Sequence, residues 1–107
     1  MFDTLERIKS LVRKKEVLRS NHGYEELAED NIFIRDVIDS VQDSLPIEDY
    51  PDFGKGPCVL VLQKDRQGDP VHAVWRIPKG ADSPAVLVTA YRPDPNRWAN
   101  DYLERRP

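Results

Sequence analysis

A single cysteine, Cys58, stands among the 107 residues, so no internal disulfide can form and no cysteine-built zinc site can be assembled. Histidine is nearly as scarce: His22 and His72 are the only two, which confines imidazole chemistry to two positions. No apolar stretch approaches the roughly 20 residues needed to cross a bilayer. The start, Met1-Phe2-Asp3-Thr4, has neither the basic cap nor the apolar run of a signal peptide. A cytoplasmic protein without a membrane partner is expected. Nor is there an excess of positive charge, since 16 basic and 19 acidic residues give a net charge of -3 and a pI near 5.3, which withholds the usual electrostatic sign of a nucleic-acid binder. Repeats and low-complexity tracts are missing too. What the chain does have is charge, 33% of its residues, beside 39% hydrophobic residues that arrive in periodic runs. That pattern reads as globular rather than disordered, and the length suits one domain over 1–107.

Helical spacing comes first. Asp3 can cap a helix, with Glu6 closing a capping box, and Leu5, Ile8, Leu11 and Val12 keep one apolar stripe to about Glu16. Ser20 or Asn21 can cap a second helix in which Tyr24, Leu27 and Ala28 share a face. Gly23 weakens its first turn by about 1 kcal/mol relative to alanine. Ile34, Val37, Ile38 and Val41 then hold the i, i+3, i+4, i+7 positions of a third helix. Pro46, Pro51, Gly54, Gly56 and Pro57 bar further helix and leave room for at most an edge strand around Leu45 to Tyr50. Three runs rich in β-branched and aromatic residues follow, at Cys58 to Gln63, Val71 to Ile77 and Ala85 to Tyr91, with turn chemistry between them. Connections so short demand antiparallel neighbours. Asp94-Pro95 offers an N-cap and a first-turn proline for a last helix carrying Trp98 and Tyr102 on one face. The predicted fold is α+β: N-terminal helices packed on one face of a three- to four-stranded antiparallel sheet, with a C-terminal helix.

Strand alternation assigns the faces. Val71, Ala73, Trp75 and Ile77 make the core set, which turns His72, Val74 and Arg76 the other way. In the last strand Val86, Val88 and Ala90 read as core, sending Leu87, Thr89 and Tyr91 outward. His72, Arg76, Thr89 and Tyr91 are thus expected on one half-polar surface. Charge divides unevenly: residues 1–50 hold 7 basic and 12 acidic side chains, residues 51–107 hold 9 and 7. A phosphate-bearing partner would prefer the sheet half, although its small surplus steers weakly at physiological salt.

Two further segments carry a resemblance. Ser20-Asn21-His22, then Ile32 and Asp36-Val37-Ile38, lead to the strand Val71-His72-Ala73-Val74-Trp75, and the chain closes with Val86-Leu87-Val88-Thr89-Ala90-Tyr91-Arg92-Pro93-Asp94-Pro95-Asn96-Arg97-Trp98. This resembles the small bacterial domain of unknown function 4258, with its early helix histidine and its late Thr-Ala-Tyr, Pro-Asp-Pro and Trp ending. The resemblance runs from about Val17 onward. It extends distantly to the compact ribonuclease toxins of bacterial toxin-antitoxin systems, of the RelE and BrnT type, and implies metal-independent RNA cleavage with no cofactor. Where members of the family carry arginines after the helix histidine, this chain reads His22-Gly23-Tyr24-Glu25-Glu26-Leu27-Ala28-Glu29-Asp30, carboxylates in place of a phosphate contact.

Metal-free RNA cleavage needs a base for the 2'-hydroxyl, an acid for the leaving oxygen and fixed cations for the phosphate. The candidate catalytic residues are His72, whose ordinary pKa near 6.5 suits either proton role, with Tyr91 beside it, Arg76 for charge, and His22. Thr89 and Arg92 are the candidate substrate contacts. The plainer reading makes His72 an exposed strand residue and Tyr91 a packing residue with a wet hydroxyl. His22, Glu25 and Glu26 share a helical face that could seat a divalent metal; against this, no second histidine lies within helical reach, no metal is expected, and His22 caps or packs on the sheet. Trp75, Trp98 and Tyr102 read as core and docking residues, and Cys58 as an inert small hydrophobe. Asp36, Asp39, Asp43, Glu48, Asp49 and Asp52 form an acidic run able to meet a basic partner. That run supports a second class of function, a non-catalytic immunity- or antitoxin-like interaction module, so that the expected partner is RNA, a cognate antitoxin or another protein.

Overall fold

The computed structural model describes residues 3–19, 32–99 and 101–104. Helix α1 spans Asp3–Arg13 and buries Leu5, Ile8 and Leu11. It stops short of Glu16 because Lys15 adopts a left-handed φ of 63°. The N–H groups of Lys15 and Glu16 then donate back to the carbonyls of Val12 and Leu11 at 3.0 and 2.9 Å. These are the two reversed bonds of a Schellman cap, here without its usual glycine. The released chain forms strand β1, Val17–Arg19. Helix α2, Ile34–Ser40, buries Val37 and passes into a 3-10 turn, Val41–Asp43, that buries Val41. Strands β2 (Leu45–Tyr50), β3 (Cys58–Lys64), β4 (Pro70–Arg76) and β5 (Ala85–Tyr91) complete the description.

The expected architecture is corrected on three points. The sheet has five strands in the order β1-β5-β4-β3-β2. It is mixed, because β1 runs parallel to β5 through the pairs Val17 to Ala85 and Leu18 to Val86. A three-residue strand is too short to show alternation, and its parallel partner lies far along the chain. No C-terminal helix forms in the described residues. Asp94 does open a turn: its Oδ1 accepts from the Asn96 N–H at 2.9 Å, and its carbonyl accepts from the Arg97 and Trp98 N–H groups at 2.9 and 3.2 Å. The turn closes there, and Tyr102 takes a left-handed φ of 60°. An isolated short helix is marginal without a packed face, and here Trp98 is drawn onto the sheet instead. The expected helix carrying Tyr24, Leu27 and Ala28 lies outside the described residues.

Helices α1 and α2 cover one sheet face, where Leu5, Ile8, Val37 and Val41 pack on Val59, Val61, Ala73, Trp75, Leu87 and Ala90. A polar link runs through this core. Gln63, 2% exposed, accepts from the Trp75 indole N–H at 2.8 Å and donates to the Val37 carbonyl at 2.6 Å. On β5 the expected parity fails for half the strand. Val74 pairs with Thr89 but Trp75 pairs with Leu87, so Val88 is an extra, bulged residue. A bulge inverts every side chain before it. Leu87 therefore enters the core, fully buried, and Val86 moves to the opposite face, while Ala90, Thr89 and Tyr91 keep their expected sides.

Candidate functional site

The sheet face away from the helices carries His72, Val74 and Arg76 from β4, and Tyr91, Thr89 and Val86 from β5, in direct pairs. His72 and Tyr91 meet there, with ring centroids 5.6 Å apart and planes at 72°. Trp98 packs edge-on to the same imidazole, 4.4 Å away at 89°. The His72 Nε2 lies 2.8 Å from the Tyr102 backbone oxygen. A carbonyl only accepts, so Nε2 carries the hydrogen and donates it. The ring is fully buried, which corrects its placement as an exposed strand residue. In this arrangement His72 clasps the C-terminal segment to the sheet, and a proton transfer to a ligand requires that segment to lift.

The remaining candidates are spread out. Arg76 follows His72 by four strand positions, which places their Cα atoms about 13 Å apart. Thr89 and Tyr91 are half-buried. Arg92 is held by the β3–β4 turn: its Nη2 pairs with Asp65 at 2.8 Å and its Nη1 donates to the Pro70 carbonyl at 3.3 Å. Asp65 organises that turn, its Oδ1 accepting from the Gln67 and Asp69 N–H groups, each at 2.9 Å. Desolvation raises the Asp65 pKa, but the Asp69 N–H, the Arg92 guanidinium and the Gln67 N–H together outweigh it and hold the carboxyl below its ordinary value. His22, Glu25 and Glu26 lie outside the described residues, and among the described residues no three His, Cys, Asp or Glu side chains gather as a metal site. No helix among them is long and apolar enough to cross a membrane.

Across β3 from Arg76 sits Cys58, buried as expected. Burial pushes its thiol pKa up, the Arg76 charge works against that, and the Asp49 carboxylate adds to it.

The acidic run does not behave as one surface. Asp36 turns inward, 8% exposed, and its Oδ1 accepts from Arg66 Nη2 at 2.9 Å and Nε at 3.0 Å. The same guanidinium lies 5.4 Å over the Phe33 ring. Asp39, Asp43 and Asp52 are exposed, whereas Glu48 and Asp49 are half-buried. Asp39 also lines a groove of about 380 Å³ together with Ile34, Arg35 and Ile38. A second hollow of about 370 Å³ joins Asp43 to Leu45 and Leu62. Phe33 and Leu45 beside them are 63% and 49% exposed. Sequence reasoning missed this pairing of exposed apolar and acidic groups, because spacing alone does not say that Asp36 leaves the surface while Phe33 stays on it.

A family model described as a domain of unknown function (DUF4258) matches residues 19–92, from the end of β1 through β5. The match stops before Trp98, so the Pro-Asp-Pro and Trp ending lies beyond it. No curated protein and no solved structure matches the chain.

Proposed function

The chain belongs to the DUF4258 family, and with the surfaces above in view we propose that it is a non-catalytic protein-interaction module for a basic partner. The observation that carries this reading is the exposed pair Asp39 and Asp43, the first bordering a groove on α2 with Ile34, Ile38 and Arg35, the second the hollow beside β2. Exposed carboxylates steer a basic protein and set its orientation, while Ile34, Ile38, Phe33 and Leu45 supply apolar area for contact. An immunity- or antitoxin-like role in the cytoplasm of a bacterium fits that chemistry. Partners captured from the native cell by the parent protein should be lost by Asp39→Lys/Asp43→Lys, and association with a captured partner should slow and lose its salt dependence. Identical partner lists for the folded parent and folded variant would remove the reading.

The ribonuclease reading keeps one observation in its favour, the direct pairing of His72 with Tyr91 on one face. In that reading His72 is the general acid or base, the C-terminal segment lifts to admit RNA, and Tyr91, Thr89, Arg76, Arg92 and His22 complete the site. Purified protein should then cleave single-stranded RNA without added metal and without loss in chelator. His72→Ala, checked for folding, should lower the rate by roughly 100-fold to 10,000-fold. A parent protein as inactive as the variant ends this reading.

A further inference from the structure

Arg76 is a cation in the middle of a sheet. It lies on β4 on the face away from the helices, with Cys58 opposite it on β3 and Val86 opposite it on β5. It is half-buried, and its Nε is buried without a hydrogen-bond partner among the described residues. No ion pair joins it to a described carboxylate. Glu48 shares the face but pairs opposite Leu60, and Asp49 pairs opposite Val59, on the side of the helices. By contrast, two other arginines near sheet ends, Arg66 and Arg92, are matched by Asp36 and Asp65 at 2.9 and 2.8 Å.

An arginine cannot shed its proton to escape this position. It therefore keeps a charge that has lost part of its hydration and, among the described residues, makes no ion pair, an arrangement that costs stability. The surroundings suit an oxyanion. Thr89 brings a hydroxyl to the neighbouring position of the same face, about 7–8 Å away by diagonal strand spacing. Along the Arg76 row, Tyr50 and Leu18 at the two ends are 45% and 61% exposed, whereas Cys58 and Val86 directly beside Arg76 are each 8% exposed, so the row is buried at its centre and open at its ends.

We propose that Arg76 anchors an oxyanion-binding site of the phosphate class on the sheet face opposite the helices. The guanidinium supplies the charge and the paired N–H donors that phosphate oxygens accept. This site is separate from the α2 surface, and although the ribonuclease reading also uses Arg76, phosphate binding here stands or falls without RNA cleavage.

The test is titration of the full chain with inorganic phosphate at constant ionic strength, followed by backbone amide shifts. The parent should bind saturably with a dissociation constant on the order of 1 to 10 mM, with the largest shifts at Cys58, Arg76 and Val86. Arg76→Gln should weaken binding at least tenfold, and Arg76→Lys should fall between, because a point charge replaces a paired donor set. Without phosphate, Arg76→Gln should melt no lower than the parent, which a merely structural arginine would not allow. If that variant fails to fold, Arg76→Lys and the parent shift map decide the matter. A dinucleotide monophosphate run beside inorganic phosphate tells a nucleic-acid phosphate from a free one, and tighter binding of either supports the site. Acetate preferred over phosphate, shifts centred elsewhere, or equal binding by parent and Arg76→Gln would overturn it.

Discussion

His72 offers the sharpest perturbation, because one ring holds the C-terminal segment through a hydrogen bond and a ring contact that substitution can separate. His72→Phe keeps an aromatic ring beside Trp98 and Tyr91 but removes the Nε2–H that Tyr102 accepts at 2.8 Å. The orphaned carbonyl belongs to a half-buried residue, so the cost should sit low in the range for an unmade buried bond, about 1–2 kcal/mol. For a domain near this size each kcal/mol moves the melting temperature by about 4–8 °C. His72→Ala removes the ring as well and should cost about 3–5 kcal/mol, as aromatic-to-alanine changes in cores do. The readout separates local from global loss. Trp75 and Trp98 are both buried, 0% and 4% exposed, so their emission starts blue-shifted. If the clasp is the role of His72, the Phe variant should red-shift part of that emission and admit protease beyond Arg92 well below its melting point. A Phe variant melting within about 1 °C of the parent, with unchanged emission and protease resistance, would refute the clasp.

Gln63→Leu should cost about 1–3 kcal/mol by leaving the buried Trp75 indole N–H unmatched. Combined with Trp75→Phe the total should fall short of the sum, and an additive double-mutant cycle in urea would contradict the link. Gly56→Ala should be severe, about 2–4 kcal/mol or more, because its φ is +124° and a Cβ there would lie 1.9 Å from the Ile77 oxygen. Gly68→Ala, with φ +85° but open space, is the control and should cost only about 1 kcal/mol by thermal melting. Since the Asp65 pKa is lowered by folding, its contribution is fully present above the ordinary carboxylate value near 3.9 and is lost as pH falls through the lower folded value. The melting gap between parent and Asp65→Asn should hold steady from about pH 7 to 5 and narrow below about 4; a gap constant down to about pH 2 would contradict the assignment.

Several features were legible in the residues themselves. The stripe of Leu5, Ile8 and Leu11 is the buried face of α1, because a 3.6-residue period is a property of the local chain. The alternation of Val71, Ala73 and Trp75 against His72, Val74 and Arg76 placed β4 correctly for the same reason, with a period of two. Three outcomes belonged to the tertiary structure. The bulge at Val88 reversed Leu87 and Val86, and it is seen only when β5 is laid against β4. The pairing of β1 with β5 joins segments far apart in the chain, and three residues hold no periodic signal of it. At the C-terminus a sound N-cap and first-turn proline were overruled, since Trp98 and Tyr102 gain more from closing over His72 than a few exposed turns of helix could return. That closure also decided the state of His72: its identity and its side of the strand are written in the sequence, but burial is a relation between distant segments, and only the folded chain could bring Trp98 down upon it.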